Sequence, residues 1–181
     1  RLYWTPLLWA DKDLVASKGG IMKSWDVQDE GTTVVLELQE DLFWSDGTPI
    51  TMEDVVWSID RWAHCPTNYW SYVHNALRYV KGYDEVHEGT AETIEGIEYT
   101  DTTLTFHLTA PYAQFVNLLC QFAPMPKHVY ENCDFDDFRN DPIWNEIPVG
   151  SGMFTVTDYE AYNYITYELN PYYKGETPKI T

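Results

Sequence analysis

The sequence predicts an α+β domain in which a mostly antiparallel sheet packs against helices. Three patterns support this fold class: a period-two alternation over residues 32–40, an apolar stripe at helical spacing over residues 51–63, and a hairpin pattern over residues 94–108. Alternating strands are typical of antiparallel sheets with one solvated face. A helix with a single apolar stripe can cover the other face.

The first clear strand is TTVVLELQE, residues 32–40. Val34, Leu36 and Leu38 share one face of this strand, and we expect that face to be buried. A turn is predicted at Ser45-Asp46-Gly47-Thr48-Pro49. Glycine tolerates positive φ, aspartate can accept hydrogen bonds from nearby backbone N–H groups, and proline ends strand pairing.

The clearest helix signal follows this turn, over residues 51–63. Thr51 is a suitable N-cap, and Asp54 three residues later supplies an acidic form of the capping box. Trp57 lies among polar positions, and we expect it to pack against a neighbouring loop. The apolar residues at helical spacing predict the buried face: Met52, Val55, Val56, Ile59, Trp62 and Ala63.

Weaker signals place the elements in the middle of the chain. A loop followed by a helix is predicted between residues 65 and 83, and a polar surface loop over 85–92. Residues 94–99 and 103–108 predict a hairpin that turns at Asp101-Thr102. Pro111 is predicted to open a second helix, because proline is favoured in the first turn. Its inner face would hold Tyr112, Phe115, Val116, Leu119 and Phe122.

Proline and glycine divide the last third of the chain. Short helical pieces are predicted around residues 127–130 and 135–139, between Pro124, Pro126 and Pro142. The run Pro148-Val149-Gly150-Ser151-Gly152 predicts a tight turn. Two final strands are predicted at residues 153–157 and 164–169.

Composition limits the classes of function. The net charge of −18 argues against binding nucleic acid or an anionic membrane surface, since both need clustered Lys and Arg. It suits solubility in a secreted or surface protein. No stretch is apolar and long enough to span a bilayer. The 8 Trp, 14 Tyr and 7 Phe indicate either a core of large rings or a binding cleft lined by rings.

No residue pattern predicts a catalytic site, a cofactor or a metal. The five histidines lack metal-ligand spacing, the adjacent His64 and Cys65 included, and there is no nucleophile elbow or phosphate loop. The acidic residues Asp136-Asp137 and Asp141 are expected on a solvated face. Cys65, Cys120 and Cys133 have no CxxC spacing, and a bridge between the last two is possible.

Three blocks of the sequence resemble one known family, the family 5 extracellular solute-binding proteins of oligopeptide, dipeptide and nickel ABC importers. Residues 24–27, 36–38 and 43–55 are similar to the family's strand and its W-S/H-D-G-x-P signature. Residues 97–108, with Pro111-Tyr112, are similar to the family's hairpin and following helix. Residues 149–154 and 168–173 resemble V-G-T-G-P-Y and E-R-N-P-x-Y-W, with departures at Met153-Phe154, Leu169 and Tyr173.

The resemblance implies one lobe of a periplasmic-binding-protein-like clamshell of the class II type. Proteins of this family are considerably longer, so we expect a piece of a longer protein. Residues 1–147 correspond to the small lobe, and residues 148–181 to the first strands that return to the main domain. In oligopeptide-binding relatives a tyrosine shortly after the signature helix faces the ligand. Tyr69 matches that position, and Trp70 and Tyr72 are weaker candidates for ligand contact.

The implied function is capture of extracellular oligopeptides and their delivery to ABC permease subunits in the membrane. The resemblance implies no enzymatic activity and no cofactor. It places the protein outside the cell or in the periplasm, with a lipid anchor on the full-length protein. Alternatives are an oligosaccharide- or nickel-binding member of the same family, or a cell-surface interaction module without transport.

Overall fold

A computed structural model describes residues 2–65, 71–137, 140–144, 146–160 and 162–176. The chain forms two compact units. The first contains Arg1–Thr5, Glu40–Ile50 and Met125–Thr181, and the second contains Pro6–Gln39 and Thr51–Pro124. The predicted division into residues 1–147 and 148–181 refers to the two lobes of a longer protein. It is not tested by these two units and stays a prediction.

Groups of strands and groups of helices follow one another along the described residues. The strands are β1 (Leu8–Ala10), β2 (Ala16–Gly19), β3 (Met22–Gln28), β4 (Thr33–Leu38), β5 (Ile97–Tyr99), β6 (Thr103–His107), β7 (Phe154–Glu160) and β8 (Tyr164–Leu169). The α-helices are α1 (Met52–His64), α2 (Ser71–Leu77), α3 (Tyr83–His87), α4 (Phe115–Leu119) and α5 (Lys127–Tyr130). All strand pairs are antiparallel, which confirms the predicted α+β class.

The second unit is built on a four-stranded sheet with the order β3-β4-β6-β5. Its inner strand β4 has most of the predicted alternation, since Val34 and Leu36 are buried, whereas Leu38 at the end of the strand is only half-buried. They lie opposite Phe106 and Leu104 of β6, which are also buried. Cross-strand apolar pairs of this kind stabilise a sheet and fix its register. The predicted hairpin is confirmed as β5 and β6, although β5 begins at Ile97.

Helix α1 begins as the sequence predicts. Thr51 Oγ1 accepts a hydrogen bond from Asp54 N at 3.3 Å, and Thr51 N donates to Asp54 Oδ2 at 2.9 Å. This reciprocal capping box satisfies two N–H groups at the helix N-terminus. Five of the six predicted apolar residues are buried, and Val56 is half-buried. Trp62 meets the ring of Phe122 edge-on, with centroids 5.6 Å apart.

Large rings form much of the interior, which supports the core interpretation of the aromatic content. In the second unit the fully buried rings are Trp62, Phe106, Phe115 and Phe122, and in the first unit Trp44 is fully buried. Each such ring buries a large apolar area. The rings of Tyr79 and Tyr112 stack in parallel at 4.0 Å, and both are half-buried.

The structure corrects the start of the second helix. Helix α4 begins at Phe115 rather than at Pro111. The segment before it is held against the turn that follows α2, because Thr109 N donates to Tyr79 O at 2.9 Å and the ring of Tyr112 stacks on that of Tyr79. Phe115, Leu119 and Phe122 are buried as predicted, whereas Tyr112 and Val116 are half-buried.

Two further predictions differ from the structure, and three strands were not predicted. The predicted loop at residues 85–92 overlaps α3, a helix of five residues that buries Tyr83 and Val86. Residues 135–137, the described part of a predicted helical piece at 135–139, form bends. Strands β1 to β3 were not predicted from alternation. The turn between β1 and β2 has Leu14 at φ 63° where glycine is expected, and β3 exposes most of its side chains.

All three cysteines lie in the described residues and are buried thiols, so the possible bridge between Cys120 and Cys133 does not form. The Cys120 Sγ lies 4.0 Å from the Val116 carbonyl oxygen. Buried thiols of this kind behave as small apolar side chains.

We expect Ile59→Ala to lower the free energy of unfolding by about 2–5 kcal/mol, since it opens a cavity beneath the centre of α1. The side chain of Ile59 is 1% exposed. Glu53→Ala on the exposed side of the same helix should change it by no more than about 0.5 kcal/mol. Urea unfolding of both variants measures the difference. Equal losses would show that the buried face of α1 is misassigned.

Candidate functional site

The signature turn of the first unit is closed by its own backbone. Trp44 N donates to Thr48 O at 2.8 Å, and Gly47 N donates to Trp44 O at 2.9 Å. The carboxylate of Asp46 accepts a bond from Thr48 N at 2.9 Å. Gly47 has φ 87°, a conformation that residues with a Cβ rarely adopt. The residue types predicted to make a turn therefore make one.

This turn is joined to the glycine-rich run by two reciprocal bonds. Ser45 N donates to Gly150 O at 2.8 Å, and Gly150 N donates to Ser45 Oγ at 3.1 Å. A Cβ on Gly150 would lie 1.9 Å from Tyr3 O, so only glycine fits. Gly152 N donates to Tyr3 O at 2.9 Å. The N–H groups of both glycines bond within the protein and are not arranged to hold a phosphate.

Two buried polar residues complete the junction. Ser151 accepts from Thr5 N at its Oγ, at 3.0 Å, and from Thr5 Oγ1 at its carbonyl oxygen, at 2.8 Å. The side chain of Asn170 donates to Gly152 O at 2.9 Å and accepts from Tyr172 N at 3.0 Å. Most buried polar groups in proteins are paired in this way. The signature turn, the glycine-rich run and the segment around Asn170 thus stabilise the fold of the first unit.

Asp46 also pairs with a histidine from α5. The Nε2 of His128 lies 2.7 Å from Asp46 Oδ2. Burial raises the pKa of Asp46, but hydrogen bonds from Thr48 and His128 outweigh that effect and hold the pKa below its usual value. Both side chains are about one-third exposed, so the pair stabilises the turn modestly.

We expect Asn170→Ala to lower the free energy of unfolding by about 1–3 kcal/mol, because it leaves the buried carbonyl of Gly152 and the partly buried N–H of Tyr172 without their partner. Asn163→Ala is the matched control. Its side chain bonds Glu160 at the surface, and its loss should cost no more than about 0.5 kcal/mol. Denaturant unfolding of the two variants makes the comparison, and equal effects would contradict a structural role for Asn170.

The predicted ligand residues are only partly described. Tyr69 and Trp70 lie outside the described residues, so their assignment stays a prediction. Tyr72 lies in the first turn of α2 and is half-buried. Burial raises the pKa of Tyr72 to about 12, so its hydroxyl is protonated at neutral pH. A protonated phenol can both donate and accept a hydrogen bond.

A cluster next to Tyr72 on α2 was not predicted from the sequence. His74 of α2 is buried, and its Nδ1 is hydrogen-bonded to the hydroxyl of Tyr83 at the start of α3. The ring of His87 stacks on Tyr83 at 5.6 Å and lies 5.0 Å from the ring of His74. The Nδ1 of His87 is 3.2 Å from the carbonyl oxygen of Ala63, at the end of α1.

We call His74, Tyr83 and His87 the histidine cluster. It connects α2, α3 and the C-terminal end of α1, and it thereby fixes the helix that carries Tyr72. The i,i+4 spacing of Tyr83 and His87 is a sequence signal for one side of this cluster. The contact with His74 is tertiary and has no local signal.

The histidine cluster keeps His74 neutral. Burial lowers the pKa of His74, and the neighbouring His87 lowers it further. A hydrogen bond with the backbone of Cys65 raises this pKa only in part, so the pKa of His74 is about 4. A neutral imidazole can accept a hydrogen bond from Tyr83 at Nδ1. Burial also raises the pKa of Tyr83 to about 12, with a further contribution from Asp84. Both groups are therefore uncharged at neutral pH.

We expect acid to destabilise the chain through His74. Because the unfolded histidine has a pKa of about 6.5, the unfolded chain binds more protons than the folded chain between that pH and about 4. The free energy of unfolding should fall as the pH drops through this window, by an amount on the order of 1–2 kcal/mol.

Urea unfolding at about pH 7 and about pH 4.5 measures this loss. His74→Gln should remove this part of the pH dependence, whereas His64→Gln, at an exposed histidine on α1, should keep it. An unchanged pH dependence in His74→Gln would contradict the assignment.

The described residues contain no group of three or more His, Cys, Asp or Glu side chains arranged to hold a metal ion. Among the same residues, no helix has the length and apolar character needed to cross a membrane.

Comparison with known proteins identifies the family. Residues 17–181 match the model described as bacterial extracellular solute-binding proteins, family 5 middle. The chain is 31% identical over 160 residues to the periplasmic oligopeptide-binding protein OppA of Escherichia coli K12, covering 85% of this chain and 28% of that protein. A putative ABC transporter peptide-binding protein of Brucella ovis is 23% identical over 179 residues, covering 98% of this chain and 31% of that protein.

Solved structures show the same fold. OppA of Haemophilus influenzae in complex with the peptide RPPGFSPFR has a TM-score of 0.76 and 24% identity, covering 96% of this chain and 33% of that one. NikZ of Campylobacter jejuni in complex with Ni(L-His) has a TM-score of 0.74 and 23% identity, covering 97% and 31%. The chain thus spans about a third of the length of these relatives. It belongs to the family 5 bacterial extracellular solute-binding proteins.

Proposed function

We propose that these residues are part of the substrate-binding component of an ABC importer that captures extracellular oligopeptides and delivers them to membrane permease subunits. The observation that carries the proposal is the 31% identity to the E. coli periplasmic oligopeptide-binding protein. Other relatives with similar coverage of this chain are also described as peptide-binding, among them OppA of Lactococcus lactis.

The geometry supports a role in binding rather than catalysis. The Ser, Asp and Asn side chains of the signature motifs make hydrogen bonds within the fold, as shown for Ser45, Asp46 and Asn170. Catalysis would require an acid, base or nucleophile positioned towards a substrate. We infer that the chain forms one wall of a ligand-enclosing protein. In such a protein, closure is driven by contacts that the ligand makes only in the closed state.

Residues 1–147 are proposed to form the small lobe, with residues 148–181 returning to the main domain. Within the small lobe, Tyr69, Trp70 and Tyr72 are proposed to face the ligand. A tyrosine offers a flat apolar ring and a hydroxyl that can bond a peptide carbonyl or amide. Because every peptide carries the same backbone groups, such contacts would tolerate different peptide sequences.

The proposed site of action is the periplasm or the cell exterior, with a lipid anchor holding the full-length protein near its permease. The family is described as extracellular, in agreement with this location. The net charge of −18 favours solubility in such a compartment.

A nickel complex is the alternative ligand with a specific observation behind it, since the structurally similar NikZ was solved with Ni(L-His). Oligosaccharides are the other alternative within the family, and aromatic rings suit them. The full-length protein should be titrated by calorimetry with a mixture of short peptides, with oligosaccharides and with Ni(L-His). Saturable binding of peptides and of neither other ligand supports the proposal. Binding of only the oligosaccharides or only Ni(L-His) would contradict it and support that alternative ligand.

We expect Tyr69→Ala in the full-length protein to weaken peptide binding, because the ring and hydroxyl at the ligand face are lost. Removing one such contact typically reduces affinity by roughly tenfold, or about 1.4 kcal/mol. Tyr99→Ala is the control, since Tyr99 is 56% exposed on β5. Calorimetry of both variants measures the effect. An unchanged peptide affinity in Tyr69→Ala would remove this residue from the site and leave the family assignment intact.

Residues 1–181 alone should bind peptides no more tightly than ~1 mM, or about −4 kcal/mol, since one wall cannot exclude water from both sides of a ligand. Calorimetry on the isolated chain tests this expectation. Micromolar binding by these residues would contradict enclosure between two lobes.

A further inference from the structure

Helix α2 depends on tertiary contacts for its position. It has seven residues, Ser71–Leu77, and isolated helices shorter than about 12 residues are marginal in water. Three apolar side chains of the helix are fully buried: Val73, Ala76 and Leu77. A polar contact comes from the buried His74, whose Nδ1 is hydrogen-bonded to the hydroxyl of Tyr83 in α3. Breaking that contact therefore weakens the attachment of the helix that carries Tyr72.

The geometry of the histidine cluster favours a neutral His74. The Nδ1 of His87 carries a proton, because the carbonyl oxygen of Ala63, 3.2 Å away, can only accept a hydrogen bond. A proton added to Nδ1 of His74 would remove the acceptor for the Tyr83 hydroxyl. It would also place a buried positive charge in a ring whose centroid lies 5.0 Å from that of His87. Burying a charge without a counter-charge costs free energy.

The titratable groups beside His74 come from α3. They are Tyr83 and His87, and the carboxylate of Asp84 acts on Tyr83, whose pKa is raised by burial and by this carboxylate. The C-terminal end of α1 contributes the backbone of Cys65, which favours a proton on His74. Helix α4 also packs against α2 and has no titratable side chain. Burial and His87 outweigh the backbone of Cys65, so the pKa of His74 is lowered to about 4.

We propose that the histidine cluster is a pH-sensitive latch, which holds α2 and Tyr72 in the ligand-binding position at neutral pH and releases them in acid. The inference rests on the proposed function, because Tyr72 is a proposed ligand residue. It goes beyond a loss of overall stability, since only α2 has to leave its place. A peptide bound at neutral pH is then held less firmly as the pH falls.

Linkage gives the size of the effect. When α2 detaches, the pKa of His74 returns to about 6.5, against about 4 in the docked helix. The latch is therefore complete above the higher value and is lost as the pH falls towards the lower one. Within this window the opening equilibrium rises about tenfold per pH unit, or roughly twentyfold between about pH 7 and about pH 5.

Hydrogen exchange followed by mass spectrometry on the full-length protein measures this opening. After correction for the intrinsic pH dependence of exchange, the protection factor of residues 72–77 should fall at least about tenfold between about pH 7 and about pH 5. At the lower pH it should also be at least about tenfold below that of β6, which opens only with the whole unit. Equal protection of the two segments, or no fall in residues 72–77, would overturn the proposal.

Two variants assign the opening to the histidine cluster. His74→Gln keeps an acceptor for Tyr83 but cannot be protonated in this range, so the protection of residues 72–77 should change by no more than about twofold. His87→Gln should show a smaller fall than the wild type, because one cause that lowers the pKa of His74 is removed. His64→Gln, at an exposed histidine on α1, is the control and should keep the full fall. A full fall in His74→Gln would overturn the proposal.

Bound peptide links the latch to the ligand. Because a ligand that needs the docked helix opposes its release, a saturating mixture of short peptides should raise the protection of residues 72–77 at about pH 5 at least about tenfold. An unchanged protection, with saturation confirmed by calorimetry, would overturn the link. A protein that binds no peptide and still shows the opening controlled by His74 would contradict the proposed function and leave the latch standing.

Discussion

The first unit depends on a backbone contact that only glycine allows. Gly150 lies so close to the carbonyl oxygen of Tyr3 that any side chain would collide with it. That approach lets Ser45 exchange two hydrogen bonds with Gly150 and brings segments far apart in the sequence into one junction. The buried Asn170 then completes the set of partners. The glycine-rich run, which in the sequence could suggest a ligand-binding loop, therefore has a structural role in the fold.

The second unit is organised differently, around apolar pairs and helix ends. Strand β4 pairs on both sides, and its buried residues oppose those of β6. One polar group in its interior is the histidine cluster, where His74 is kept neutral and bonded to Tyr83. The bond between the buried Nδ1 of His74 and the Tyr83 hydroxyl favours one arrangement of the two helices, since other packings would leave these polar atoms unpaired. The cluster thus orders the helices beside the predicted ligand residues.

Local sequence signals predicted the elements that depend on local physics. The capping box of Thr51 and Asp54, the alternation around Leu36, and the apolar stripe through Ile59 were all predicted correctly. Errors arose where tertiary contacts override local preference. The stacking of Tyr112 on Tyr79 accompanies an irregular segment and a turn where Pro111 indicated a helix. Leu14 stands at positive φ in the first hairpin, where a glycine would have marked the turn.

The candidate site was less predictable than the fold. His74, Tyr83 and His87 come from two helices and meet only after folding, so no spacing rule joins them. The assignment of Tyr69 and Trp70 came from family resemblance and stays a prediction. Resemblance transfers positions along the chain, whereas distances and pKa shifts follow from the folded structure. For that reason the family could be identified from the sequence, whereas the contacts of the histidine cluster could not.

The three buried thiols bear on the conditions under which this fold can form. Cys65, Cys120 and Cys133 are enclosed by the fold, and no cross-link between them holds it together. The described structure is therefore held together by packing and hydrogen bonds, without a cross-link between these three residues. Once folded, the sulfur atoms are shielded from exchange with small thiols and disulfides. A chain exported before folding would have to bury these groups before an oxidising environment paired them wrongly.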